Sequence, residues 1–123
     1  MYRQFAQTYQ KVALESAPPD QLLDQLYNRL LRDLDEVAEA ITQLDIPRRT
    51  KVVDHALRIL EALRLYLDHA AAPELCARLD SMYEYVVHQV YQACFTQSIT
   101  PLAEAKKRIT ELQETFRQAA SIR

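Results

Sequence analysis

The sequence predicts an all-α protein, an antiparallel four-helix bundle. Three observations carry this. Glycine is absent, five prolines punctuate the chain at helix-length intervals, and apolar residues between them recur at steps of one, three and four. Without glycine the tight primed turns of β-hairpins are disfavoured. Pro18 with Pro19, Pro47, Pro73 and Pro101 each precede an apolar-periodic run. Proline is tolerated in a first helical turn because its missing N–H would be unpaired there anyway.

Helix one is predicted over residues 19–44. Leu22, Leu23, Leu26, Tyr27, Leu30, Leu31, Leu34, Val37, Ala38, Ile41 and Leu44 fill a face wider than one bundle stripe requires. Helix two, residues 47–71, carries Val52, Val53, Ala56, Ile59, Leu60, Leu63, Tyr66 and Leu67. Helix three, residues 73–95, carries Leu75, Leu79, Met82, Tyr83, Val86, Val87 and Val90. Helix four starts at Thr100, an expected N-cap, and alternates steps of three and four through Leu102, Ala105, Ile109, Leu112, Phe116 and Ala119. Short connections make successive helices antiparallel neighbours.

The 123 residues suit one domain, residues 1–123, with the bundle in 17–123 and a cap segment in 1–16. That segment carries Tyr2, Phe5, Tyr9, Val12 and Leu14, too many apolar groups for a free tail, and is expected to pack on the bundle.

Composition excludes several functions. A Walker loop, a dinucleotide fingerprint and a nucleophile elbow all need glycine where backbone approaches phosphate or turns sharply. The net charge of -2 gives no positive field to draw nucleic acid or an anionic membrane. No apolar run approaches the roughly 18 residues of a membrane span, and no secretory signal opens the chain. The expected location is the cytoplasm. Cys76 and Cys94 fall in one helix, roughly 27 Å apart at 1.5 Å per residue, too far for a disulfide.

Catalytic and metal patterns are also missing. A bundle di-iron site needs Glu-x-x-His on two helices, and Glu84 and His88 are four apart instead. His55 and His69 share no zinc-like spacing with the cysteines. The expectation is no enzyme, no cofactor and no metal. The acidic residues of helix one and the arginines of helix two read as solvated faces with weak pairing. Excess apolar surface is more informative. Leu57 and Leu65 fall outside the main stripe of helix two, as do Tyr85, Tyr91 and Phe95 outside that of helix three. Such residues on adjacent helices make a groove for an amphipathic partner helix, or equally for a homodimer.

Several segments resemble the FliS family of flagellar export chaperones. These are Gln4-Phe5-Ala6-Gln7, then Ser16-Ala17-Pro18-Pro19-Asp20-Gln21-Leu22, then Leu26-Tyr27-Asn28-Arg29-Leu30. His55-Ala56-Leu57-Arg58-Ile59-Leu60 through Leu67-Asp68 follows, then Met82-Tyr83-Glu84-Tyr85 with Val90-Tyr91-Gln92-Ala93-Cys94, and Phe116 where the family has Trp. The order and spacing along nearly the whole chain carry the likeness. Arg29 replaces a family Gly, Cys94 a family Asn, and Phe5 a family Tyr.

The resemblance implies a cytoplasmic chaperone. It would bind the C-terminal region of flagellin, prevent premature polymerisation, and help deliver its client to the export gate protein FlhA. Tyr2 and Phe5, with Tyr9, are then expected as cap or partner contacts. Ile59, Leu65, Tyr85 and Tyr91 are expected groove contacts, while Leu26, Tyr27, Leu60, Leu63, Met82, Tyr83 and Val86 are expected in the core. The alternatives are a helical adaptor or secretion chaperone for another client, and a metal-bearing bundle enzyme.

Overall fold

The computed structural model describes residues 20–121. They form four helices: α1 (Asp20–Thr42), α2 (Ile46–Leu65), α3 (Pro73–Thr96) and α4 (Thr100–Ser121). The prolines act where the sequence places them. Pro47 and Pro73 stand in the first turns of α2 and α3. Asp45 caps α2, its carboxylate accepting the Arg48 N–H at 3.2 Å. Thr100 is the first residue of α4 rather than its cap, and its own N–H is accepted by the Ser98 hydroxyl at 3.3 Å.

Helix α2 is shorter than the predicted 47–71, and Asp68 is the reason. Its carboxylate accepts the N–H groups of Ala70 and Ala71 at 3.1 and 3.2 Å, an Asx turn that competes with the helical ladder. Leu67 still reaches the core from beyond the helix end.

Without glycine, two helices close on side chains in the left-handed region, while α2 ends on Tyr66 at φ -78°. Leu44 (φ 57°) follows α1 and Gln97 (φ 53°) follows α3. At both ends the following N–H reaches back across the last turn, Asp45 to the Ala40 carbonyl and Ser98 to that of Ala93. Each such residue carries a Cβ clash of about 1–2 kcal/mol that glycine would avoid.

Cross-helix pairs fix the topology. Between α1 and α2, Asp33 meets His55 and Glu39 meets Arg48. Between α1 and α4, Asp24 meets Arg117 and Asp35 meets Lys106. In each series one helix advances as the other retreats, so neighbours are antiparallel. Helices α2 and α4 flank α1 and also flank α3, and α2 with α3 is the least extensive of the four seams.

The core follows the predicted stripes, except that Leu22 and Leu44 of the first are exposed, Leu44 because it lies beyond the end of α1. Tyr27, Leu60, Leu63, Tyr83 and Val86 are fully buried, whereas Leu26 and Met82 are half-buried against the core's edge. The Tyr27 and Tyr83 hydroxyls hydrogen-bond each other at 2.6 Å inside the core. Tyr27 also stacks on Phe116 with ring centroids 5.8 Å apart.

Candidate functional site

The four seams between the described helices differ in chemistry. Two seams are closed by polar networks. On α1–α2, the nearly fully buried Asp33 faces His55 Nδ1 at 2.5 Å and Arg29 Nε at 3.4 Å. On α1–α4, buried Gln113 donates to Asn28 Oδ1 at 2.7 Å and Asp24 Oδ1 at 3.2 Å. Arg117 grips the same Asp24 at 2.7 and 3.1 Å, and this hydrogen-bonded guanidinium holds the Asp24 carboxyl below its usual range.

The seams flanking α3 are built otherwise. On α2–α3 an ion pair closes one end: Arg64 meets Asp80 at 2.7 and 3.1 Å and lowers the Asp80 carboxyl below its usual range. At the other end Cys94 is half-buried. Burial pushes its thiol upward, while the charge of Arg49 works in the opposite direction. Arg64 to Arg49 on α2 and Asp80 to Cys94 on α3 span about 22 and about 21 Å of helix. Between these ends lie half-buried Val53, Leu57 and Val87, all packed against the core. Tyr91 stands over them, 56% exposed, and Phe95 one turn further is 89% exposed. The spacing 80, 84, 87, 91, 94 is one helical row on α3. It makes an apolar groove with an aromatic rim.

On α3–α4, Met82 and Tyr85 occupy the seam. The Arg108 guanidinium lies 5.9 Å from the Tyr85 ring centroid. Met82, Arg108, Glu111, Leu112 and Thr115 line a surface cavity of about 500 Å³. Helix α3 thus carries one tyrosine toward each neighbour, Tyr91 toward α2 and Tyr85 toward α4.

The sequence-predicted contacts separate accordingly. Tyr85 and Tyr91 lie on the two flanks of α3. Ile59 is a core residue, 7% exposed, because its position falls within the inward stripe with Ala56, Leu60 and Leu63. Leu65 is 77% exposed but continues the outward row of Asp54, Arg58 and Glu61, away from both grooves. Tyr2, Phe5 and Tyr9 lie outside the described residues. Sequence reasoning counted Phe95 among the surplus apolar residues of a groove without naming it as a contact, and passed over Ile46. The step of four from Tyr91 to Phe95 was the available signal, whereas Ile46 joins them only through folding.

Among the described residues no group of three His, Cys, Asp or Glu side chains could hold a metal ion. No helix of the described residues is long and apolar enough to cross a membrane.

Known proteins fit this picture. A family model described as flagellar protein FliS matches residues 1–123. The chain is 29% identical to the flagellar secretion chaperone FliS of Bacillus subtilis over 111 residues, covering 90% of this chain and 82% of that protein. It is 28% identical to the flagellar secretion chaperone FliSB of Pseudomonas aeruginosa over 109 residues, covering 85% of this chain and 86% of that one. With the FliS of Salmonella typhimurium it shares 23% identity over 115 residues, covering 93% and 85%. These relatives are chaperones, not enzymes, and with the family model spanning every residue, this chain belongs to the FliS family of flagellar proteins.

Proposed function

We propose that the protein is a flagellar export chaperone whose α2–α3 groove receives an amphipathic segment from the C-terminal region of flagellin. One observation carries the reading. The seams around α1 are closed by polar networks anchored on buried Asp33 and Gln113, while α3 presents apolar side chains and an exposed tyrosine along its seam with α2. A client segment that lies disordered in water gains helix by placing its apolar residues there. It thereby loses the surface it would use on its own kind. The chaperone holds flagellin in the cytoplasm in this form and assists its delivery to FlhA. Tyr2, Phe5 and Tyr9 belong, in this proposal, to a cap displaced by the client. The family membership and the names of the relatives support the chaperone role, and the groove supports the mode of binding.

Isothermal titration of a flagellin C-terminal peptide into the protein tests this. Aromatic anchors in partly desolvated grooves dominate binding energy, so Tyr91→Ala is expected to weaken the complex about 10-fold or more. Leu65→Ala, on the outward face of α2, is expected to leave affinity unchanged. Both variants should retain wild-type helicity by circular dichroism. A wild-type protein that fails to bind the peptide overturns the reading.

A further inference from the structure

The α2–α3 groove is electrically unequal along its length. At the Arg64–Asp80 end stands an exposed carboxylate, Glu84, four residues after Asp80. The charge of Glu84 is felt at Arg64. At the other end, half-buried Arg49 has no carboxylate within ion-pair distance among the described residues. Together with Leu44, Ile46 and Gln97 it lines a small crevice beside the groove mouth. Asp45, the carboxylate lining that crevice, is already engaged by the Arg48 N–H. Ile46 and Phe95, 58% and 89% exposed, place apolar surface next to Arg49. The groove is therefore acidic where the ion pair closes it and cationic, with an apolar rim, where it opens.

A helical occupant carries a positive pole at its N-terminus and a negative pole at its C-terminus, and a free chain terminus adds a full carboxylate. Matching poles to the groove gives one orientation. We infer that the client helix lies parallel to α3, with its N-terminal turn at Glu84. Its C-terminal carboxylate then sits at Arg49, and its last apolar side chain between Ile46 and Phe95. This rests on the groove binding proposed above and adds its polarity and its terminal anchor. The occupant is thus an amphipathic helix that ends the client chain, not an internal stretch.

Cys94 supplies a reporter at the mouth of the groove. The full chain carrying Cys76→Ala is incubated with one of two flagellin C-terminal peptides. Each bears a single cysteine activated as a thiopyridyl disulfide, near its C-terminus or near its N-terminus. Attack by the Cys94 thiolate releases thiopyridone and leaves a mixed disulfide. The C-terminal label is expected to trap rapidly and the N-terminal label slowly. With Glu84→Cys in a chain that also carries Cys76→Ala and Cys94→Ala, the preference is expected to reverse. Arg49→Gln should weaken the free-acid peptide about two- to five-fold, the range of a helix-terminus charge, and leave the C-terminally amidated peptide unchanged. Binding with the opposite trapping preference, with equal trapping, or with no difference between acid and amide overturns the orientation while leaving the groove assignment intact. Absence of any binding overturns both.

Discussion

Asp33 shows how little of a side chain's environment follows from its neighbours in sequence. Its carboxylate is almost wholly withdrawn from water, yet both partners, His55 and Arg29, are about half exposed. Deleting a partner of a buried charge costs more than deleting an exposed pair, because the remaining charge keeps its desolvation penalty. His55→Ala is therefore expected to destabilise the fold by about 1–3 kcal/mol in urea titrations. Arg58→Ala, which breaks the largely exposed pair with Asp54, should stay within about 0.5 kcal/mol. Equal effects from the two substitutions would remove Asp33 as the anchor of the α1–α2 seam. The Tyr27–Tyr83 hydroxyl bond makes a related point in the core: Tyr83→Phe should cost about 0.5–1.5 kcal/mol, the net worth of one buried hydrogen bond. None of this was legible in sequence, where Asp33 reads as one more acid on a solvated face and both tyrosines as apolar positions. Pairings across 22 and 56 residues appear only once the helices are docked.

At the scale of elements the sequence was more forthcoming. Proline placement and the three-and-four apolar steps located all four helices, since both signals are local. The errors occurred where a local competitor ends a helix. Asp68 stops α2 six residues early through its Asx turn, and no break in apolar periodicity announces this, because Leu67 stays in the core. The missing glycines likewise have a structural consequence that composition alone does not place. Gln97 closes α3 at φ 53° and ψ 41°, a conformation that disfavours any residue with a Cβ. Gln97→Gly is accordingly expected to stabilise the protein by up to about 1 kcal/mol in chemical denaturation, part of the relief being lost to the freer unfolded chain. Gln97→Val, β-branched at the same φ, should destabilise it. A neutral outcome for both would mean that this helix end is not held in the left-handed region in solution.

For the whole molecule, the division between closed seams and open ones was beyond sequence reading. Surplus apolar residues are visible in a sequence, but which of them share a groove depends on how far each helix is rotated. Ile59 and Leu65, six residues apart, fall on opposite sides of α2, whereas Tyr91 and Tyr85 both stay at the surface of α3. The same assembly sets the response to acid. Asp24 ties α1 to α4 and Asp80 ties α3 to α2, and each carboxyl is held below its usual range by a bonded arginine, Arg117 and Arg64. A carboxylate whose folded-state pKa lies below its unfolded value binds fewer protons in the native state. Its contribution is therefore complete above about pH 4, the unfolded value, and is lost as pH falls further through the depressed folded values. The urea midpoint should fall from pH 5 to pH 3, with no opposite contribution from these two groups above pH 5. The Arg64–Asp80 pair is about one-third exposed, so solvent screening limits it to about 1 kcal/mol or less. Asp80→Asn should then lower the midpoint at pH 7 and shrink the drop between pH 5 and pH 3 by a similar amount. A variant that lost stability at pH 7 yet kept the full acid response would show that the pair does not carry its share of the linkage. Because this pair also closes the α2–α3 groove, the same substitution should loosen client binding at pH 7 more than it changes helicity, which titration and circular dichroism on one sample can separate.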